Sequence, residues 1–266
     1  MIMTAIEEQL QKIKAQNRLG LMTHIVVGYP NLEESRRLVL AMAEAGADFI
    51  ELQIPFSDPV ADGPTLMRAN QESLKQGTTV AQAMQLMGEL AAATPIPLLF
   101  MTYFNIVFRY GVERFCQDAQ QAGCAGLIVP DIPIEEEHRE HFILRAKQSR
   151  LSVIRVISPA STERRLRLNA QHAEGFVYFV SRKGVTGAQA NLDAELAQNL
   201  QKIRQYISLP IAVGFGISQP EHIVAIKGTA DIAVIGSAIA QTYSGAEKGQ
   251  GIAAVCRFIE SLAAVL

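Results

Sequence analysis

The segment Glu51-Leu52-Gln53-Ile54-Pro55-Phe56-Ser57-Asp58-Pro59-Val60-Ala61-Asp62-Gly63-Pro64 gathers three carboxylates in fourteen residues. Asp48 to Ile54 reads as a strand, so its side chains alternate between two faces. Ile50, Leu52 and Ile54 form an aliphatic face suited to packing against helices. Phe49, Glu51 and Gln53 take the other face. A carboxylate turned into an interior is costly unless it is paired or functional, and desolvation raises its proton affinity into the range a general acid/base needs. Asp58 and Asp62 follow in a loop stiffened by Pro55, Pro59 and Pro64.

A second group of residues suits an anion. Ser181 to Gly187, Gly214 to Ser218 and Gly236-Ser237 each follow a strand and carry glycine. Glycine lets backbone N–H groups approach a phosphate, and a helix N-terminus such as the one opened at Ser237 favours negative charge. The histidines are His24, His138, His141, His172 and His222. His138 and His141 sit among glutamates on a solvated helix face. His24 lies in the first strand, where it could face the interior, and is given no catalytic role. Lys183, beside Arg182, reads as an exposed charge, which disfavours imine chemistry. Cys116, Cys124 and Cys256 form no C-x-x-C pair and read as reduced thiols, and no metal site is expected.

These groups need a scaffold. The eight expected strands are Gly20 to Val27, Asp48 to Ile54, Pro97 to Tyr103, Ala125 to Val129, Leu151 to Ile157, Phe176 to Val180, Pro210 to Gly214 and Asp231 to Ile235. Helices alternate with them, including Asn31 to Ala45, Val80 to Ala93, Val112 to Ala122, Glu135 to Gln148, Thr162 to Ala170, Ala194 to Tyr206 and Pro220 to Ile226. Ile6, Leu10 and Ile13 mark an extra N-terminal helix, and Ile252, Val255, Ile259, Leu262 and Leu266 a closing one. Alternation without hairpins implies parallel strands with right-handed crossovers. Eight units, with no G-x-G-x-x-G after the first strand, favour a closed (β/α)₈ TIM barrel over an open doubly wound sheet. The phrases AGADFIEL, AGCAGLIV and GTADIAVI, each a small-residue turn feeding a strand, support a repeated βα unit. One domain over residues 1–266 is expected, with its active site at the C-terminal ends of the strands.

Composition excludes other classes. With 266 residues, 49% of them hydrophobic, the chain can build a core without disulfides or metal. A net charge of −2 gives no basic surface for nucleic acid or membrane. The segment Met1 to Asn17, with Glu7, Glu8, Lys12 and Lys14, is no signal peptide, and no stretch nears a membrane span, so the expected location is the cytoplasm.

The Glu51 to Pro64 segment resembles the signature of tryptophan synthase α subunits. Gly28-Tyr29-Pro30, Tyr103-Phe104-Asn105, Pro130-Asp131-Ile132-Pro133, Ser181 to Gly187 and Gly214 to Ser218 fall in that family's order over the whole chain. The resemblance implies a lyase: retro-aldol cleavage of indole-3-glycerol phosphate to indole and glyceraldehyde 3-phosphate. It makes Glu51 the general acid/base and Asp62 the carboxylate that holds the indole N–H. Tyr178 would pack beside the glutamate, Leu21, Leu127 and Phe215 would line the indole slot, and Tyr103 and Thr186 would also meet the substrate. Gly187, Gly216, Gly236 and Ser237 would hold the phosphate. The family works as an α₂β₂ assembly that passes indole to a β subunit. By resemblance, Asp58, Pro130, Asp131 and Pro133 would touch that partner, and the segment Arg182 to Ala190 would be a mobile lid. No cofactor is expected in this chain; PLP belongs to the β subunit. Gln53 departs from the family, which usually has glycine there. Two other readings stay open: another phosphate-binding barrel, an isomerase or decarboxylase, and a non-catalytic activating subunit.

Overall fold

The computed structural model describes residues 3–180, 189–214 and 216–266, residues 189–194 by their backbone alone. Eight parallel strands close on themselves in sequence order: β1 (Gly20–Val26), β2 (Phe49–Gln53), β3 (Leu98–Met101), β4 (Gly126–Ile128), β5 (Ser152–Ile157), β6 (Val177–Val180), β7 (Ile211–Gly214) and β8 (Ile232–Ile235). β8 pairs back onto β1 with Met22 opposite Val234. This is a TIM barrel, and all eight expected strands are present.

The barrel has two apolar layers. Met22, Phe49, Leu99, Met101, Ile128, Ile154, Ala212 and Val234 fill the interior. Ile50, Leu52, Phe100, Val153, Phe179 and Val213 alternate with them and pack outward against the helices. A period of two along each strand produces both layers, and each buries side chains that would otherwise cost water contact. Leu21 and Leu127 belong to the outer layer, which corrects their expected place in the indole slot. Their strand neighbours Met22 and Ile128 point inward instead.

The N-terminal helix, Ala5–Ala15, begins with a reciprocal cap in which Thr4 and Glu7 satisfy each other's backbone N–H. It closes the N-terminal end of the barrel. Ile6 and Ile13 join the inner layer, and a side chain on Gly20 or Gly126 would collide with them or with the neighbouring strand. Beneath that plug the buried Asp48 accepts two hydrogen bonds from Arg18, at 2.6 and 2.7 Å, and others from Gln9 and the Leu21 N–H. With this end filled, the opposite rim is left for chemistry.

Several helical expectations change. A helix, Pro64–Lys75, follows the proline-rich loop where none was read. Its buried positions are Ala69, Asn70 and Ser73, so it carries no apolar stripe. The expected helix Glu135 to Gln148 is divided at His141, whose φ of 51° is left-handed, into short segments ending at Glu140 and restarting at Phe142. Helix Gln189–Arg204 also begins earlier than the periodicity indicates.

Candidate active site

Strand register builds the centre. β1 and β2 pair with His24 opposite Glu51 and Val26 opposite Gln53. Glu51 is 1% exposed and Gln53 is fully buried. The inward placement of Glu51 follows from Phe49, two residues earlier, which lies in the inner layer.

Glu51 uses its two oxygens differently. Oε2 lies 3.4 Å from His24 Nδ1. Oε1 has no hydrogen-bond partner among the described residues. An orphaned buried carboxylate oxygen is expensive, and at a barrel rim it is a position for a reacting group.

A chain of polar contacts leaves that carboxylate. His24 Nε2 lies 2.8 Å from Gln53 Oε1, and Gln53 Nε2 donates to Asp62 Oδ2 at 2.6 Å. Asn70 Nδ2 donates to the same Asp62 oxygen at 3.1 Å and to the Leu66 carbonyl at 2.8 Å. Asn70 Oδ1 accepts from the Phe56 N–H at 2.9 Å. Asp62 is half-buried, so it faces both this network and solvent. Sequence reading singled out Glu51 and Asp62 but missed His24 and Asn70. Their only signal is position: one is opposite Glu51 on the neighbouring strand, the other on the first helix after the loop.

Tyr103 pins the proline-rich loop from below. It is fully buried, its hydroxyl accepts the Ala61 N–H at 3.1 Å, and its ring stacks on Phe56 with centroids 5.2 Å apart. Burial, reinforced by the Asp62 charge, holds its phenol above the ordinary range. Tyr178, on β6, is held well above that range by burial and by the charge of Glu51 beside it. Burial alone would lower the proton affinity of His24; its contacts with Glu51, Asp62 and Gln53 outweigh that and raise it.

The expected phosphate residues are placed in part. Gly216 has φ +87°, a conformation costly for any side-chain-bearing residue. Gly236 and Ser237 open the helix Ser237–Gly245 directly after β8. His222 Nδ1 accepts the Ser218 N–H at 3.2 Å and so holds the end of the β7 loop. Thr186, Gly187 and Phe215, with Arg182 and Lys183, lie outside the described residues. Gly214 adjoins Tyr178.

Asp58 is exposed after β2, and Pro130, Asp131 and Pro133 follow β4 on the same rim. Asp131 accepts the Phe104 N–H at 2.8 Å, and the buried Arg155 donates to the Ile132 carbonyl at 3.3 Å, fixing that loop. Among the described residues no cluster of His, Cys, Asp and Glu could hold a metal ion. No helix there is long and apolar enough to cross a membrane.

Comparison with known proteins agrees in fold and sequence. A family model described as tryptophan synthase alpha chain matches residues 10–264. The tryptophan synthase alpha chain of Syntrophotalea carbinolica is 44% identical over 257 residues, 97% of this chain and 99% of that one. That of Desulfotalea psychrophila is 47% identical over 232 residues, 87% and 91% of the two chains. Among solved structures, a Mycobacterium tuberculosis tryptophan synthase chain superposes with a TM-score of 0.90 at 30% identity, over 99% of this chain and 98% of that one. The Legionella pneumophila tryptophan synthase subunit alpha gives 0.91 at 29%, with coverages of 99% and 98%. The chain belongs to the tryptophan synthase alpha chain family.

Proposed function

We propose that the chain is a carbon–carbon lyase of tryptophan biosynthesis that cleaves indole-3-glycerol phosphate to indole and glyceraldehyde 3-phosphate. The observation that carries this reading is Glu51, a buried carboxylate beside the Tyr178 phenol whose Oε2 faces His24 and whose Oε1 has no close hydrogen-bond partner among the described residues, at the catalytic rim of a barrel.

The cleavage needs one proton delivered and one removed. Glu51 as an acid protonates the indole carbon that bears the glycerol chain, making a cationic indolenine. Its carboxylate then takes the proton of the adjacent glycerol hydroxyl. The hydroxyl-bearing carbon becomes the aldehyde, the carbon–carbon bond breaks, and its electron pair restores the ring. Glu51 ends as it began. Asp62 holds the indole N–H and stabilises the cation electrostatically, in an orientation set by Gln53 and Asn70. Tyr178 packs beside Glu51, and Tyr103 holds the loop that carries Asp62. Met22 and Ile128 supply inward apolar surface. Gly216, Gly236 and Ser237, with Gly187, receive the phosphate.

Asp58, Pro130, Asp131 and Pro133 are proposed to meet a β subunit in an α₂β₂ assembly. PLP would reside in that partner, and no step in this chain passes through it. A cytoplasmic location is part of the same reading. The test is direct: incubate the purified chain with indole-3-glycerol phosphate, with and without a β subunit, and measure indole. Release of indole in either case supports the lyase; none in both overturns it.

A further inference from the structure

Hydrogen-bond chemistry around Gln53 fixes more than its contacts. Asp62 Oδ2 also accepts from Asn70, so the Gln53 atom 2.6 Å from it is the amide NH₂. Asn70 is oriented independently by the Phe56 N–H and the Leu66 carbonyl. The Gln53 carbonyl therefore faces His24 Nε2 at 2.8 Å, and that nitrogen carries hydrogen. His24 Nδ1 is left facing Glu51 Oε2 at 3.4 Å.

Two arrangements satisfy that last contact: an imidazolium donating to a carboxylate, or a neutral imidazole accepting from a carboxylic acid. Each puts one proton between Nδ1 and Oε2. Without it, two lone pairs oppose one another in a site shielded from water. We propose that His24 and Gln53 are positioning residues: His24 shares a proton with Glu51, and Gln53, anchored on Asp62, fixes the histidine tautomer that makes sharing obligatory. This deepens the lyase reading and rests on it. The pair has one proton to give to the indole carbon. Giving it leaves the carboxylate opposite the Nδ1 lone pair, and recapture of the hydroxyl proton restores the shared contact.

The groups around the pair allow this. Asp62 faces it from the loop after β2, and Tyr178 faces Glu51 from β6. Tyr29 and Tyr243 line a cavity with His24, together with Leu66 and Ala69 of helix Pro64–Lys75.

Two measurements test the proposal. In protein labelled with ¹⁵N-histidine, the resonance missing from His24→Phe identifies His24. Its Nε2 is expected to stay protonated from pH 5 to 9, and Nδ1 to titrate above the usual histidine value, about 6.5. Nδ1–H with a bare Nε2 would overturn the proposal. Gln53→Met, which cannot accept from Nε2, is expected to move that titration to lower pH. Its kcat for indole release should fall about tenfold, its alkaline limb should move the same way, and KM should stay within about twofold. An unmoved titration would overturn the role of Gln53. If Gln53→Met fails to fold, the wild-type tautomer still decides. The resonances read the network without turnover, so absent indole release with the expected tautomer defeats the lyase reading and not the network.

Discussion

A Cβ on Gly214 would stand 2.9 Å from the hydroxyl of Tyr178, so the glycine that ends β7 makes room for the phenol of β6 beside Glu51. Its role is steric and precedes any contact with phosphate. Gly214→Ala must displace the ring, at about 1–3 kcal/mol of stability. Indole release is expected to fall about tenfold or more, because a misplaced group beside the reacting centre costs rate. Full activity with an unchanged melting temperature would show that Tyr178 needs no such space.

Asn70 ties the proline-rich loop to the helix behind it, meeting Asp62, the Phe56 N–H and the Leu66 carbonyl. Asn70→Leu keeps the bulk and removes every bond. It is expected to cost about 1–3 kcal/mol in denaturant unfolding, the penalty for buried groups left unpaired. Indole release should drop more steeply than stability, because Asp62 loses an orienting donor. A variant stable and fully active would remove Asn70 from the account.

Much of the site was legible in the sequence. Alternation in β2 was readable because only one of its faces is aliphatic, and it turned Glu51 inward as found. β1 is buried on both faces, so its own pattern gives no parity, and Leu21 was assigned to the interior that Met22 occupies. Leu127 failed in the same way beside Ile128. Helix Pro64–Lys75 escaped because small and polar residues fill its buried face. The His24–Gln53–Asp62 chain joins two strands and a loop, a relationship that no spacing within one element encodes.

The plug at the far end of the barrel is structural. Asp48 binds the two terminal nitrogens of Arg18, Gln9 and the Leu21 N–H. Asp48→Ala removes the acceptor they share and is expected to cost about 3 kcal/mol, the lower end for a broken buried pair, since a quarter of the Arg18 side chain surface stays exposed. Turnover per folded molecule should stay near wild type. A selective loss of kcat without loss of stability would refute the division of the barrel into a stabilising end and a reactive end.

Burial pushes the thiols of Cys116 and Cys124 up to about 12 from an ordinary 9.0. A raised thiol favours the folded state below about pH 9 and loses that advantage as pH climbs toward 12, so unfolding free energy should decline across that window. At pH 8 neither thiol should react with a disulfide reagent until the chain unfolds, and Cys256, only partly buried, should react first. Immediate titration of every thiol in the native protein would contradict this packing.

The most direct measurement is single-turnover indole release by Glu51→Gln, assayed with indole-3-glycerol phosphate in the presence of a β subunit. The amide preserves shape but cannot cycle a proton. The rate is expected to fall about a thousandfold, with calorimetric binding of the substrate and thermal stability retained. Release within about tenfold of wild type would contradict the assignment of acid/base chemistry to Glu51.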